Sequence, residues 1–258
     1  MVGSVLLSDV RLERSFIQFA GIGERTEQSL WEAGVADWRE KFDAAVLGPT
    51  RYERVIGGAE RAAVALDQGD ADHFATRLPS GEQWRLLESF RDRLIALDIE
   101  TTGLDHHRDS VTTVSVHGCG TPQTFVQGVD LTPTTLISAL EPADVLVTFN
   151  GARFDLPFLQ QQLGVDIKLP HVDLLYPTRR LGWQGGLKAV ESTVGIDRSL
   201  PDVDGREAVR LWYEYQAGSE RALDRLIAYN VEDARNLIEL SERAVTALDA
   251  ATIDPYLK

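Results

Sequence analysis

Residues 94–103 read Leu-Ile-Ala-Leu-Asp-Ile-Glu-Thr-Thr-Gly. The run Leu94–Ile99 is short and apolar, the signature of a buried strand. Asp98 and Glu100 interrupt that pattern two residues apart, so on a strand both carboxylates face the same side. Holding two like charges side by side in a core is unfavourable and drives one pKa sharply upward. A divalent cation removes the conflict. Taken alone, an Asp-x-Glu pair is equally a strand that ends at the surface with solvated acids.

Reading outward from this stretch, the period of the chain changes near residue 92. Downstream, Val111–His117 and Thr124–Gln127 read as strands, Pro133–Leu140 as a helix, Val145–Phe149 as a second buried strand and Phe154–Leu163 as a helix. Helical patterns follow at Leu187–Val194, Arg206–Gln216, Ser219–Tyr229 and Val231–Leu248. Strands followed by alternating strands and helices predict an α/β domain, a mixed sheet with helices on its faces, over residues 93–258. Upstream, residues 1–92 read as mostly helical: Glu24–Ala33 closed by Gly34, Asp37–Leu47 with Asp37 as its cap, Tyr52–Leu66 weakened by Gly57-Gly58, Asp70–Thr76, and Ser80–Phe90 opened by Ser80.

Two further acidic elements join the first. Asn150-Gly151-Ala152-Arg153-Phe154-Asp155 follows the strand Val145–Phe149, and Asp155 falls in the first turn of the next helix, with Pro157 tolerated there. An acid at that place also simply complements the helix dipole. Late in the chain, Tyr229-Asn230-Val231-Glu232-Asp233 puts Tyr229 and Asp233 four apart, on one helical face. By itself that pair is compatible with a core-edge tyrosine beside a solvated acid.

Together, the wording LDIETTGL, FNGARFDLPFL and YNVEDARNL resembles the DEDD (DnaQ-like) 3′–5′ exonuclease superfamily, in the branch of YprB-type ribonuclease-H-like domains. The resemblance covers about residues 93–248. Asp98 and Glu100 fall on its first motif, Asp155 on its second and Asp233 on its third. Tyr229 marks the tyrosine subclass; the histidine subclass places His five residues before the last Asp, where this chain has Ala228. The resemblance implies a ribonuclease-H-like sheet flanked by helices, with Asp98, Glu100, Asp155, Tyr229 and Asp233 as catalytic residues. The four acids would hold two Mg²⁺ or Mn²⁺ ions, and the substrate would be the 3′ end of single-stranded DNA or RNA. Phosphodiester hydrolysis needs a nucleophile made from water and a stabilised leaving oxygen, which two hard cations about 3.5–4 Å apart supply. By resemblance Asp98 bridges both ions, Glu100 and Asp233 complete the site of the attacking water, Asp155 supports the second ion, and Tyr229 orients the water. The resemblance also places Thr101, Thr102, Leu104, Asn150 and Phe154 beside the terminal nucleotide. As ordinary residues, Thr101 and Thr102 would be a strand-end turn and Phe154 a core side chain. A catalytically silent nucleic-acid-binding protein and a structure-specific endonuclease stay open as alternatives, and DNA is not distinguished from RNA.

Other chemistry-bearing residues read more plainly. Arg153, Arg179, Arg180 and Lys188 are available for phosphate contacts or are solvated cations. His106-His107 between Asp105 and Asp109 fits a surface loop better than a metal site. Asp173, after His171, fits a supporting role near the cleft. Trp31, Trp38, Trp84, Trp183 and Trp212 read as packing residues, and Cys119, between Gly118 and Gly120, as a turn residue.

In the first part, Phe16–Thr26 with Gly21-Ile22-Gly23 resembles the hairpin of a helix-hairpin-helix element, which implies phosphate-backbone contact at Gly21–Gly23. Glu24 and Glu27 stand where such elements often carry cations. A helical cap packed on its own domain is the other reading.

Composition bounds the rest. The 258 residues are 43% hydrophobic and 26% charged, enough for a sizeable core and against bulk disorder. One cysteine excludes a disulfide framework and a cysteine-rich zinc site. No apolar run approaches the roughly 20 residues of a membrane span. The short run Val5–Leu7, closed by Asp9 and Arg11, predicts no signal peptide, so a cytoplasmic protein is expected. The net charge is −14, −5 of it in residues 1–92, and only 4 of 26 cations are Lys. Many acids with little Lys fit a halophilic protein kept soluble by hydrated carboxylates. At molar salt the Debye length is about 3 Å, so net charge neither supports nor excludes nucleic acid. Nothing in the sequence names a protein partner.

Overall fold

The structure, a computed structural model, describes residues 11–120 and 122–257; Val5–Leu7 and Asp9 lie outside them. The chain divides into two compact units, one of residues up to Arg91 together with those from Glu242 on, the other Asp92–Ser241. The expected second domain ran to residue 258, whereas the unit carrying the sheet ends at Ser241.

The sheet unit contains β1 (Leu94–Thr101), β2 (Val111–Gly118), β3 (Gln123–Val126), β4 (Val145–Thr148) and β5 (His171–Asp173). Their order is β3-β2-β1-β4-β5, with β1–β2 and β2–β3 antiparallel and β1–β4 and β4–β5 parallel. The mixed α/β sheet expected from the sequence is therefore present. Strand alternation divides β1 into two chemistries. Ile95, Leu97 and Ile99 pack with Leu146, Phe158 and Leu159 in one apolar cluster. Fully burying each such aliphatic side chain is worth about 1.5–3 kcal/mol relative to exposure. Asp98 and Glu100 take the alternate positions, opposite Ser115 and Thr113 of β2. A register irregularity between Glu100 and Thr101 ends the regular pairing there.

Helices build both units. In chain order, α1 (Glu24–Glu32), α2 (Pro49–Asp67), α3 (Ala71–Ala75) and α4 (Leu86–Ser89) precede the sheet, and α5 (Pro133–Leu140), α6 (Asp155–Leu163), α7 (Leu175–Arg180), α8 (Leu187–Val194), α9 (Gly205–Gln216) and α10 (Glu220–Thr252) follow its first strands. Thr132 closes a capping box on Thr135 at the start of α5. A second apolar cluster joins Val126 and Val203 to Ala208, Leu211 and Trp212 of α9 and Leu226 and Tyr229 of α10. The two expected helices Ser219–Tyr229 and Val231–Leu248 are one 33-residue helix, α10. Asn230, the residue between those two stretches, is fully buried inside it, and its side chain finds a partner on β1. No helix among the described residues is long and apolar enough to cross a membrane.

The first unit departs from expectation at Asp37–Leu47, which holds only a 3₁₀ turn at Ala44–Val46. Asp37 spends its carboxylate on the Arg39 amide and guanidinium. The Trp38 amide and indole donate to Glu13 O and Leu12 O at 3.0 and 3.1 Å. These long-range bonds replace the helical ones. Pro49 opens α2 rather than merely stopping the previous segment, and α2 runs through Gly57-Gly58 unbroken. Gly58 is required there: a Cβ on it would lie 2.6 Å from the Phe19 ring. Ser80–Arg85 is a 3₁₀ helix without a side-chain cap at Ser80. Trp31, Trp38, Trp84 and Trp212 are buried as packing residues, and Trp183 is half-buried. Cys119 adopts a positive φ of 48° and its thiol donates to Leu94 O, a turn role.

Candidate metal centre

Three elements place the acids. β1 offers Asp98 and Glu100 on its non-core side; α10 offers Asp233. One carboxylate oxygen of each lies within 4.8 Å of the others, the one such group of His, Cys, Asp and Glu among the described residues. Glu100 and Asp233 are buried and Asp98 is half-buried. Asp155 opens α6 and is also buried. It accepts from its own amide and that of Ile99, its charge raises the pKa of Asp98 and Glu100, and the charge of Asp233 raises its own.

The electrostatics are unbalanced. Burial first, then the charges of Asp233, Asp155 and Glu100, push the Asp98 carboxyl well above the ordinary range; the Asn230 hydrogen bond opposes this. Burial and the neighbouring acids do the same to Glu100, opposed by Lys188 and Arg198. Burial raises Asp155 to about 7 and Asp233 to about 6. Asp98, Glu100 and Asp233 thus share a site in which ionising one penalises the rest, and Asp155, outside that group, adds its charge to it. The donor set is all hard oxygen, which suits Mg²⁺ or Mn²⁺ and gives soft metals no ligand. The residues present fit divalent-ion binding.

Supporting side chains hold this arrangement. Asn230 Nδ2 donates to Asp98 Oδ2 at 2.7 Å and to Asp98 O at 3.2 Å, while its own Oδ1 is buried with no partner. The Tyr229 hydroxyl hydrogen-bonds Asp233, and burial followed by the nearby carboxylates pushes the phenol pKa upward, keeping it protonated. Arg198 donates to Asp233, binds Glu191 at 2.5 Å, and approaches Glu232 at 3.6 Å. Glu191 is fully buried and also accepts from Asn236 at 3.0 Å. Lys188 and Arg198 lie over the Tyr229 ring, at 4.9 and 5.4 Å from its centre.

The sequence-selected neighbours separate into two groups. Thr101, Leu104 and Phe154 line a cavity of about 610 Å³ with Glu100, closed on its other side by Asp204–Arg206 and Val209 of α9 and its cap. Leu104 is 85% exposed, an apolar side chain available to a ligand. Phe154 also packs on Phe158, with ring centres 4.9 Å apart, so its core and cavity roles coexist. Thr102 and Asn150 do not line that cavity. The Thr102 hydroxyl accepts from the Ser110 amide, and Asn150 holds a left-handed turn with φ 64°. Asp173 supports that turn, accepting from the amides of Asn150, Ala152 and Leu175 at 2.6, 3.2 and 3.1 Å. Lys188 reaches the site, whereas Arg153 and Arg179 are exposed. His106 and His107 stack on each other at 4.1 Å, outside any metal-binding group of the described residues.

Sequence reasoning missed Asn230, Arg198 and Glu191. Asn230 carried a signal: a polar residue on the apolar side of a helix, next to Tyr229 and three before Asp233. Arg198 and Glu191 carried none, since they come from another helix and its following loop, 35 and 42 residues away from Asp233.

A family model described as RNase_H superfamily matches residues 95–245. No curated protein matches the chain by sequence. Among solved structures the chain is similar to the family B DNA polymerase of Pyrobaculum calidifontis, at 19% identity and TM-score 0.48, covering 64% of this chain and 26% of that one. It is therefore about a quarter of the polymerase's length that is matched. It is similar to Brucella melitensis NrnC solved with bound Mg²⁺, at 23% identity and TM-score 0.47, covering 66% and 81%. It is also similar to the Aedes aegypti Nibbler EXO domain, at 13% identity and TM-score 0.44, covering 69% and 92%.

Proposed function

The chain belongs to the RNase_H superfamily, and we propose that within it the protein is a metal-dependent 3′–5′ exonuclease acting on single-stranded DNA or RNA in the cytoplasm. The observation that carries this is the trio Asp98, Glu100 and Asp233 within 4.8 Å, in an environment that makes their charges costly without a cation.

Asp98, Glu100, Asp155 and Asp233 would hold two Mg²⁺ or Mn²⁺ ions. When bound, such ions offset charge on the scissile phosphate and make water a better nucleophile. The protein's own groups do the rest. Asn230 fixes the Asp98 rotamer, so the acid meets its ligand without an ordering cost. Tyr229, kept neutral, orients the attacking water by hydrogen bonding and takes no proton at neutral pH. Arg198 holds Asp233 in place by a direct hydrogen bond. The cavity by Leu104, Phe154 and Thr101 receives the base and sugar of the terminal nucleotide against apolar surface.

The test is cleavage of end-labelled single-stranded DNA and RNA with Mg²⁺ or Mn²⁺ in high salt, beside the Asp98→Ala variant. A ladder that shortens from the 3′ end, requires metal and vanishes in the variant is the expected result. Normal cleavage by Asp98→Ala would refute the site.

A further inference from the structure

The first unit holds a second cavity, about 600 Å³, between the segment Ile17–Ile22 and α2 and α3. Its lining is basic in a chain of net charge −14. Arg54 and Arg61 lie seven apart on α2, hence on one face, with Gly57 and Gly58 between them. Arg77 and His73 come from α3 and its end, and Glu53 is the single acid of the lining. Arg54 and Arg61 have no ion pair or hydrogen bond among the described residues. Most arginines elsewhere in the described chain pair with acids: Arg85 with Glu27, Arg93 with Asp144, Arg198 with Glu191, Arg210 with Glu207. Leaving two guanidinium groups unpaired at one cavity suits a receptor for an oxyanion, since the fork geometry matches phosphate oxygens.

The cavity's backbone wall agrees. Gly21 sits at φ 86°, and a Cβ there would meet Arg54 Nη1 at 3.0 Å. Its amide has no acceptor among the described residues, and Gly21 lines the cavity beside Arg54. Gly58 lets Phe19 press against α2, which sets the loop at this height. Burial, then the Arg77 and Arg61 charges against the opposing Asp70, lowers the His73 pKa, a mark of the positive field in the cavity. Gly23 does not line it, and Glu27 turns inward to Arg85. The cations missing from the hairpin sequence stand on the facing helix instead.

We propose that Arg54, Arg61 and Arg77, with the Gly21 amide, form a phosphate-binding site in the first unit that takes a backbone phosphate of a nucleic-acid strand. The proposal rests on the nucleic-acid part of the proposed function, not on its catalysis. The test uses the full chain without divalent metal. Binding of a fluorescein-labelled single-stranded DNA is followed across a salt series for the wild type and for Arg54→Ala/Arg61→Ala. A second double variant, Lys41→Ala/Arg51→Ala, removes the same charge outside the cavity. The cavity variant is expected to bind roughly tenfold more weakly and to lose about one from the slope of log affinity on log salt. Equal losses in both variants would reduce the effect to general charge and overturn the site, as would unchanged affinity and slope in the cavity variant. In a parallel arm, inorganic phosphate is titrated against thermal unfolding. A wild-type stabilisation that the cavity variant lacks, with strand binding unaffected, would keep the phosphate chemistry but overturn the strand as its source. Strand binding lost in the cavity variant while the wild type cleaves nothing with added metal would sink the exonuclease alone.

Discussion

Both units bury charge, and they do so in opposite ways. In the first, Glu27 and Arg85 are 1% and 5% exposed, and the charged atoms of this pair are matched. Arg85 binds both Glu27 oxygens at 2.9 and 3.0 Å, Glu82 at 2.7 Å and the Ser15 hydroxyl at 3.0 Å. Glu27 also takes the Ile17 amide, and Arg85 lies over the Trp31 and Trp84 rings. In the second, Asp98, Glu100, Asp155 and Asp233 share one neighbourhood with Arg198 and the more distant Lys188 as cations. A buried pair closed upon itself is architecture. A buried set whose charge is left over is held by the fold for something that arrives later.

The contrast can be broken most sharply at Asp98. Asp98→Ala is expected to cut metal-dependent strand cleavage on the order of a thousandfold, measured by single-turnover kinetics, while the metal-free protein melts no lower than wild type, because one of several repelling acids is gone. A marked loss of melting temperature would make the cluster structural. Glu27→Ala reverses the pattern. It strands Arg85 in the core and should cost about 3–5 kcal/mol in denaturant unfolding. A change under 1 kcal/mol would mean the pair is not the closed unit described.

Tyr229→Phe probes the finer division of labour. Loss of the hydroxyl should slow cleavage by about 10- to 100-fold and leave Mn²⁺ affinity, by calorimetry, within about threefold. A proportionate loss of ion affinity would place the phenol among the ion-holding groups. The smallest effect is that of pH on the metal-free protein. Asp155 and Asp233, raised to about 7 and about 6, bind protons in the folded state that they release in the unfolded chain. Their contribution therefore favours folding at low pH and is lost as pH rises from about 4 towards 7. Metal should cancel the decline, and its affinity should rise over the same window with release of protons. Pairing the Glu27→Ala and wild-type melting curves across that range isolates the acid cluster, since a metal-free stability flat between those limits would contradict the raised values.

The strands and the acids were legible because period and spacing are local. Leu94–Ile99 alternates with two acids in a way that only one face of a strand explains, and Pro133–Leu140 and Leu187–Val194 begin and end as their caps and breakers indicate. What escaped depended on partners far along the chain. The pattern divided one helix at Asn230, a poor helix former in isolation, yet its amide group is anchored 132 residues away on Asp98. Asp37 looked like a cap until Arg39 claimed it. Gly57-Gly58 looked like a weakness, when Gly58 is the room that Phe19 needs. The Arg198 network has no sequence motif at all.

Arg198 also bears on how the centre would take up an ion. Its guanidinium rests on Asp233 with Glu191 and Glu232 behind it, so a divalent ion held by Asp233 would have to displace a cation already there. The guanidinium can retreat to its other two acceptors, which keeps the exchange reversible. A monovalent ion gains less from these carboxylates than the tethered cation it must unseat, because its field is weaker than that of a doubly charged ion. Such a tethered cation would yield to charge density rather than to concentration.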